Sequence, residues 1–293
     1  MIPKILFLAA ALLVAGCQSG PSSPGDVSQP ASAALSYARP GATGDDRFAA
    51  IVVDAESGAV LHAENDGALR YPASLAKMMT LYILFQEIES GRLGMDSVLA
   101  VSPTAAAQPP SKLGLRAGSS LRVADAVAAL TVKSANDVAA VVAENIAGSE
   151  AAFADRMTRT ARGLGMRSTR FANASGLPDP DQITTARDMA ILARALRNDF
   201  PRQTANFSRR SFTYAGKTYE STNKLLGAVG GMDFGKTGYT RASGYNLATS
   251  VERGGDRIIV VVMGETSSAA RNTHVTALVE EYLPQRSAWL SYR

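Results

Sequence analysis

Phe48-Ala49-Ala50-Ile51-Val52-Val53-Asp54 runs into Glu56-Ser57-Gly58 and then Ala59-Val60-Leu61-His62, and the reading of this stretch decides the fold. Two short apolar runs around a glycine turn form a β-hairpin. A hairpin alone is not stable in water, so it needs more strands. They come from the far end of the chain, where Gly244 to Val251 and the apolar run Arg257 to Gly264 (RIIVVVMG) have strand character. Helical signals fill the interval. Ser74 to Ser90 has a first residue able to cap, apolar residues at helical spacing (Leu75, Met78, Met79, Tyr82, Ile83, Phe85, Ile88), and a stop at Gly91. Further helices are expected over Val123 to Val132, Asp137 to Ala147, Ser149 to Leu164, Thr185 to Leu196 and Ala269 to Leu283, the last ending before Pro284. Helices inserted between first and last strands predict an α/β (α+β) fold. A mostly antiparallel sheet is built from both ends and flanked by helices, with an all-helical subdomain over about residues 90–200 and a cleft at the junction.

The ends read differently. Met1 to Cys17 places Lys4 before an apolar stretch from Ile5 to Ala15, then small residues before a cysteine. That stretch is shorter than the ~20 apolar residues of a stable membrane span. Val14-Ala15-Gly16-Cys17 resembles the lipobox of bacterial lipoprotein precursors, which implies a signal peptide over 1–16 and lipid on Cys17. Cys17 is the one cysteine of the chain, so no intrachain disulfide can form. Residues 17–46 are dominated by Ser, Pro, Gly and Ala, the composition of a flexible tether. The folded domain is expected over 47–283 and a tail over 284–293, where Trp289, Leu290 and Tyr292 pack on the domain or stay disordered.

Composition removes several classes of function. A 293-residue chain with 46% hydrophobic residues can build a sizeable core. The formal charge is +4, but Lys and Arg are scattered with no long run, so nucleic acid is not an expected partner. A serine–histidine hydrolase would have to use His62 or His274, which fall on a hairpin strand and the last helix. The same shortage of histidine and cysteine disfavours a metal centre, and no cofactor is expected.

Three short motifs occur in order: Ser74-Leu75-Ala76-Lys77, Ser134-Ala135-Asn136 and Lys236-Thr237-Gly238. S-x-x-K with an S-x-N-type motif and K-T-G is the motif set of penicillin-binding proteins and class A β-lactamases. On a helix, serine and lysine three residues apart share a face, within hydrogen-bonding reach. A helix N-terminus adds unpaired N–H groups that favour negative charge on an attacked carbonyl. Lysine can take the serine proton only when uncharged, and its usual pKa of about 10.4 must fall toward neutrality, a change worth roughly 4 kcal/mol. Burial and a second positive charge would do this, and Lys236 is the candidate for that charge. Lys236 and Thr237 could also bind a substrate carboxylate. Taken alone, Ser134-Ala135-Asn136 also reads as a turn capping the next helix, and Lys236-Thr237-Gly238 as a strand entry. Ser221-Thr222-Asn223-Lys224 repeats both S-x-x-K and S-x-N, but it lies in a Thr-, Tyr- and Gly-rich stretch of strands and turns where Ser and Lys would not share a helical face.

With RYPASLAKMMT (70–80), KSANDVA (133–139), TRFANASGLPDPDQITTARDMAILARAL (169–196) and FGKTGYTRASGYNLATSV (234–251), the chain resembles the D-alanyl-D-alanine carboxypeptidases, low-molecular-mass penicillin-binding proteins of the SxxK class. The resemblance runs from about Arg47 to Leu283 and implies the penicillin-binding/β-lactamase-like transpeptidase fold. It further implies Ser74 as nucleophile, Lys77 as base, Ser134 as proton relay, and Asn136 on the opposite wall. Lys236, Thr237 and Gly238 bind substrate in that pattern, and the N–H groups of Ser74 and Tyr239 form the oxyanion hole. The expected partners are peptidoglycan stem peptides, laid along the Lys236-to-Thr240 strand, and β-lactams as covalent inhibitors. The expected location is the bacterial cell envelope, lipid-anchored and facing the periplasm. Two departures stand out. The separate β-rich C-terminal domain of many members is not expected here, and Gly235 occupies a position where a larger apolar residue is usual, which would loosen the strand.

Rival readings are a DD-endopeptidase cutting cross-links, a β-lactamase, and a penicillin-binding lipoprotein without turnover. A class A β-lactamase positions its deacylating water with a glutamate loop between the second and third motifs. Glu144, Glu150 and Glu220 all lie outside the SGLPDPDQ loop, so slow deacylation is expected.

Overall fold

The computed structural model describes residues 47–283; the expected leader, tether and Cys17, and the tail from 284, lie outside the described residues. The hairpin read from Phe48 to His62 is present as β1 (Ala49–Asp54) and β2 (Val60–Glu64). Its turn is closed by Gly58 at φ +79°, while the Asp54 carboxylate accepts the Ser57 N–H at 2.7 Å. β3 (Met232–Thr240), β4 (Gly244–Arg253) and β5 (Asp256–Glu265) complete a five-stranded sheet of order β2-β1-β5-β4-β3, antiparallel throughout. The first strand therefore pairs with the last, as the terminal placement of the apolar runs required.

Strand alternation divides the core in two. Ala49, Ile51 and Val53 with Ile259, Val261 and Met263 face one way, and Ala50 and Val52 with Leu247, Val251, Val260 and Val262 face the other. The first face packs on α1 (Lys77–Glu89) and α4 (Ala186–Asp199), through Met78, Leu81, Met189 and Leu192 among others. The second is covered by Val275, Leu278 and Val279 of α5 (Ser268–Tyr282). Each such side chain taken from water contributes about 1.5–3 kcal/mol, which holds both helical layers to the sheet.

α2 (Asn136–Ala147) and α3 (Glu150–Gly163) belong to the predominantly helical part. That part also holds a short antiparallel pair, Val98–Ala100 with Ser120–Arg122. Helices α3, α4 and α5 start on hydroxyl caps: Ser149, Thr185 and Ser267 accept N–H groups of Ala152, Asp188 and Ala270 at 3.0–3.2 Å.

Two departures from regular helix fall beside the motifs. Residues Ala73–Ala76 form a single 3₁₀ turn and α1 begins only at Lys77, so Ser74 caps nothing. The turn follows Pro72, and Ala73 sits at φ +47°. The helix expected over 123–132 is α-helical only for Val123–Ala128, then widens into a π turn over Ala129–Lys133 that ends at Ser134 in the left-handed region, φ +60°. α2 has no side-chain cap. Asp137 instead accepts the N–H groups of Leu113, Gly114 and Leu115 at 2.9–3.1 Å.

Asn246 joins the sheet to the segment before Ser74. Fully buried on β4, it donates to the carbonyls of Tyr71 and Pro72, each at 3.1 Å, and accepts the Gly264 N–H at 2.9 Å. Removing the amide takes this partner from the Tyr71 carbonyl and the Gly264 N–H and leaves the Pro72 carbonyl with the Leu75 N–H. Asn246→Ala should lower the unfolding free energy by roughly 2–4 kcal/mol, read from denaturant titration; a change within experimental error would refute this latch.

Candidate active site

The sheet edge β3 and the 3₁₀ turn meet at Gly238. A Cβ on Gly238 would lie 3.0 Å from the Pro72 carbonyl and 3.1 Å from the Ser74 nitrogen, so glycine is what lets the edge strand approach the Ser74 backbone. Gly176 of the SGLPDPDQ loop does the same from the other side. Its φ is +84°, and a Cβ there would fall 1.9 Å from the Ala73 carbonyl oxygen. Ser74 is thus clasped between two glycine backbones.

Lys77 projects from the first residue of α1 into the interior and is fully buried. Its Nζ lies 3.0 Å from Ser74 Oγ and 2.8 Å from Asn136 Oδ1, and also bonds the Ser175 carbonyl. Asn136 is held in turn by donating to the Pro109 carbonyl at 3.0 Å. Lys236, on β3 and 1% exposed, donates to Ser134 Oγ at 2.9 Å and to the Thr237 carbonyl at 2.8 Å. The left-handed backbone of Ser134 turns its hydroxyl toward that amine. Four of the residues singled out in the sequence, Ser74, Asn136, Ser134 and Thr237, therefore come together around the two buried amines. Ser74, Ser134, Asn136, Thr237, Gly238 and Tyr239 line one cleft of about 470 Å³. Tyr239 is largely exposed and stacks on Tyr245 with ring centroids 4.2 Å apart.

Neither amine can hold a proton easily. Burial, and next the neighbouring Lys236 amine, hold Lys77 well below the usual 10.5, while Glu150 and Asp137 pull it back up. Burial, and then Arg271, bring Lys236 down to about 7.

The family model of D-alanyl-D-alanine carboxypeptidases matches residues 43–267. This chain belongs to that family. It is 30% identical to the D-alanyl-D-alanine carboxypeptidase DacF of Bacillus subtilis over 245 residues, covering 79% of this chain and 60% of that protein. The chain spans about three fifths of the length of the curated carboxypeptidases it matches. Among solved structures, the carboxypeptidase DacD of Francisella tularensis superposes with a TM-score of 0.77 at 31% identity, over 83% of this chain and 72% of that one. Penicillin-binding protein D2 of Listeria monocytogenes, in its ampicillin-bound form, superposes with a TM-score of 0.69 at 31% identity, over 79% and 95%. These likenesses bear out the expected fold and family.

Some cleft residues were not singled out by sequence. Arg271, on α5 and 4% exposed, lines the cleft beside Thr237 with its guanidinium on Asn272 Oδ1. A buried guanidinium on an otherwise apolar helix face was the available signal. Thr222, inside the repeated S-x-x-K string, reaches Thr237 Oγ1 at 2.7 Å and lines the same cleft. Its neighbours do not form a second centre: Ser221 Oγ accepts the Asn223 N–H at 3.1 Å and Lys224 is exposed. Gly235 does not loosen β3, which keeps its pairing to Thr249. The Asn223 amide fills the space, and a Cβ on Gly235 would lie 2.1 Å from its nitrogen. His62 bonds Tyr282 at 3.3 Å and His274 bonds Glu265 at 3.0 Å, and neither lines the cleft.

Proton affinity in this family's site is then testable. A base must be uncharged, so with Lys77 in the base role that the family resemblance implies, acylation should fall as pH drops through the Lys77 pKa. Removing the positive neighbour raises that pKa. The acid limb of β-lactam acylation in Lys236→Met should accordingly lie at higher pH than in wild type, whatever the loss in plateau rate; an unmoved or lowered midpoint would contradict the coupling.

Proposed function

We propose that the chain is a serine-type D-alanyl-D-alanine carboxypeptidase that trims peptidoglycan stem peptides through an acyl-enzyme on Ser74. The observation that carries this reading is the set of partners around Lys77. An uncharged amine has two N–H donors and one lone pair. Asn136 Oδ1 and the Ser175 carbonyl can only accept, so they take both donors. The lone pair is left for the Ser74 hydroxyl at 3.0 Å, which is the arrangement of a base with its nucleophile.

The steps follow from the geometry. Lys77 takes the Ser74 proton as Oγ attacks the carbonyl between the two D-Ala residues. The negative oxygen formed is stabilised by the backbone N–H groups of Ser74 and Tyr239, the pair that the family resemblance implies; Gly238, next to Tyr239, lies against the Ser74 nitrogen. Ser134 gives its hydroxyl proton to the departing amine and regains one from Lys236, to which it is bonded; when water releases the acyl group, Lys77 returns its proton to Ser74 Oγ and the proton lost by water restores Lys236. Lys236, Thr237 and Arg271 offer the positive and hydroxyl groups that a terminal carboxylate needs, and that carboxylate would keep Lys236 charged. Water then releases the acyl group. A β-lactam, with its own carboxylate and strained amide, would enter the same path and leave slowly.

Fluorescent penicillin should label wild type and Ser221→Ala but not Ser74→Ala, and wild type should release free D-Ala from muropeptide monomers bearing D-Ala-D-Ala. Equal labelling of both variants would sink the assignment of Ser74. Release of monomers from cross-linked dimers without free D-Ala would favour the endopeptidase, and rapid β-lactam hydrolysis the β-lactamase.

Attachment to a membrane through lipid on Cys17, with the domain facing the periplasm, is proposed from the sequence Val14 to Cys17 and the tether that follows. A single acyl chain binds only marginally, whereas two or three give durable attachment. Full-length protein should fractionate with membranes and Cys17→Ala should move to the soluble fraction; an unchanged distribution would overturn the anchor.

A further inference from the structure

Glu150 is the first residue of α3, directly after its Ser149 cap, and is half-buried. It lies 24 positions before Ala174 in the chain, outside the SGLPDPDQ loop, yet its Oε1 accepts the Ala174 N–H at 3.1 Å. The same short segment is gripped at three further points. Thr80 Oγ1 donates to the Ala174 carbonyl at 2.7 Å, Lys77 bonds the Ser175 carbonyl, and Gly176 lies on the backbone of Ala73 and Ser74. Residues 174–176 therefore bridge a carboxylate on α3 to both the amine and the nucleophile.

The charges facing Lys77 come from three elements: Lys236 on β3, Asp137 on α2 and Glu150 on α3. Glu144 on α2 faces Glu150 in turn. Asp137 is committed to the N–H groups of Leu113, Gly114 and Leu115. Glu150 accepts one N–H, and that N–H belongs to the segment that receives the lysine.

We propose that Glu150 is a positioning residue for acylation: by holding the Ala174 N–H it sets where the Ser175 carbonyl meets the Lys77 amine, and its negative charge offsets Lys236 across that amine. This rests on the reading of Lys77 as the base. Burial pushes the Glu150 carboxyl up, and the Ala174 N–H and Lys77 draw it back. Its charge helps Lys77 hold a proton, so removing the charge lets the proton go at lower pH.

The test is the rate of fluorescent-penicillin acylation between about pH 5 and 9 for full-length wild type, Glu150→Gln and Glu150→Ala. Glutamine keeps the acceptor and loses the charge; alanine loses both. The acid-limb midpoint of Glu150→Gln should fall by roughly half a pH unit or more. The plateau rate of Glu150→Ala should drop roughly tenfold, with Glu150→Gln retaining more of it. A purely structural side chain would lower both plateaus and leave the midpoint in place. A midpoint that stays or rises in Glu150→Gln, or a wild-type plateau in Glu150→Ala, would overturn the proposal; if Glu150→Ala fails to fold, the Glu150→Gln midpoint decides alone. Labelling retained by Ser74→Ala in the same assay would sink the reading of the site itself, whereas labelling lost there with an unmoved Glu150→Gln midpoint sinks only the role of Glu150.

Discussion

The Lys77 amine has no access to solvent, and the arrangement around it follows from that burial. Keeping an ammonium ion in such a place costs several kcal/mol unless a counter-charge is in contact, and a second buried amine on Lys236 raises the cost further. The protein meets this by surrounding Lys77 with neutral acceptors, Asn136 Oδ1 and the Ser175 carbonyl, which satisfy an uncharged amine. An amine held well below its usual pKa is thus a consequence of packing. Ser74 then needs only to be within reach of that amine, and two glycines supply that: Gly176 and Gly238 allow a loop and a strand edge to close on the Ser74 backbone where any side chain would collide or crowd.

The sheet explains why these parts stay in register. β5 is the central strand, its pairing with β1 closes the first segment of the domain onto the last, and α5 locks them from one face. Asn246 carries that rigidity to the Tyr71–Pro72 carbonyls immediately before the 3₁₀ turn. A misplacement of about 1 Å between reacting groups can cost a hundredfold in rate, and this fully buried three-bond amide fixes the segment that carries Ser74.

Much of this was legible in the sequence because it depends on local spacing or burial. The apolar runs at 48–54 and 257–264 announced strands, and the hydroxyls at 149 and 185 stood where helices begin. Ser74 and Lys77, three residues apart, meet equally well across a 3₁₀ turn and the start of a helix, so the pairing was readable although the helix start was not. What was hidden depends on contacts distant in the chain. No pattern in Ala129–Lys133 distinguishes a π turn from an α turn, and the left-handed Ser134 is imposed by what lies around it. Gly235 looked like a weakness only because its filler, Asn223, comes from another segment. Glu150 seemed remote from the SGLPDPDQ loop for the same reason.

The central claim is that Lys77 is an uncharged amine at the pH where Ser74 is acylated. Selective ¹⁵N labelling of lysine, with side-chain resonances followed against pH and Lys77→Met used for assignment, measures this directly. The account predicts a Lys77 nitrogen that titrates far below its solvent-exposed counterparts and is already neutral at mildly alkaline pH. A Lys77 nitrogen that stays protonated to the ordinary lysine range near 10.5 would contradict it.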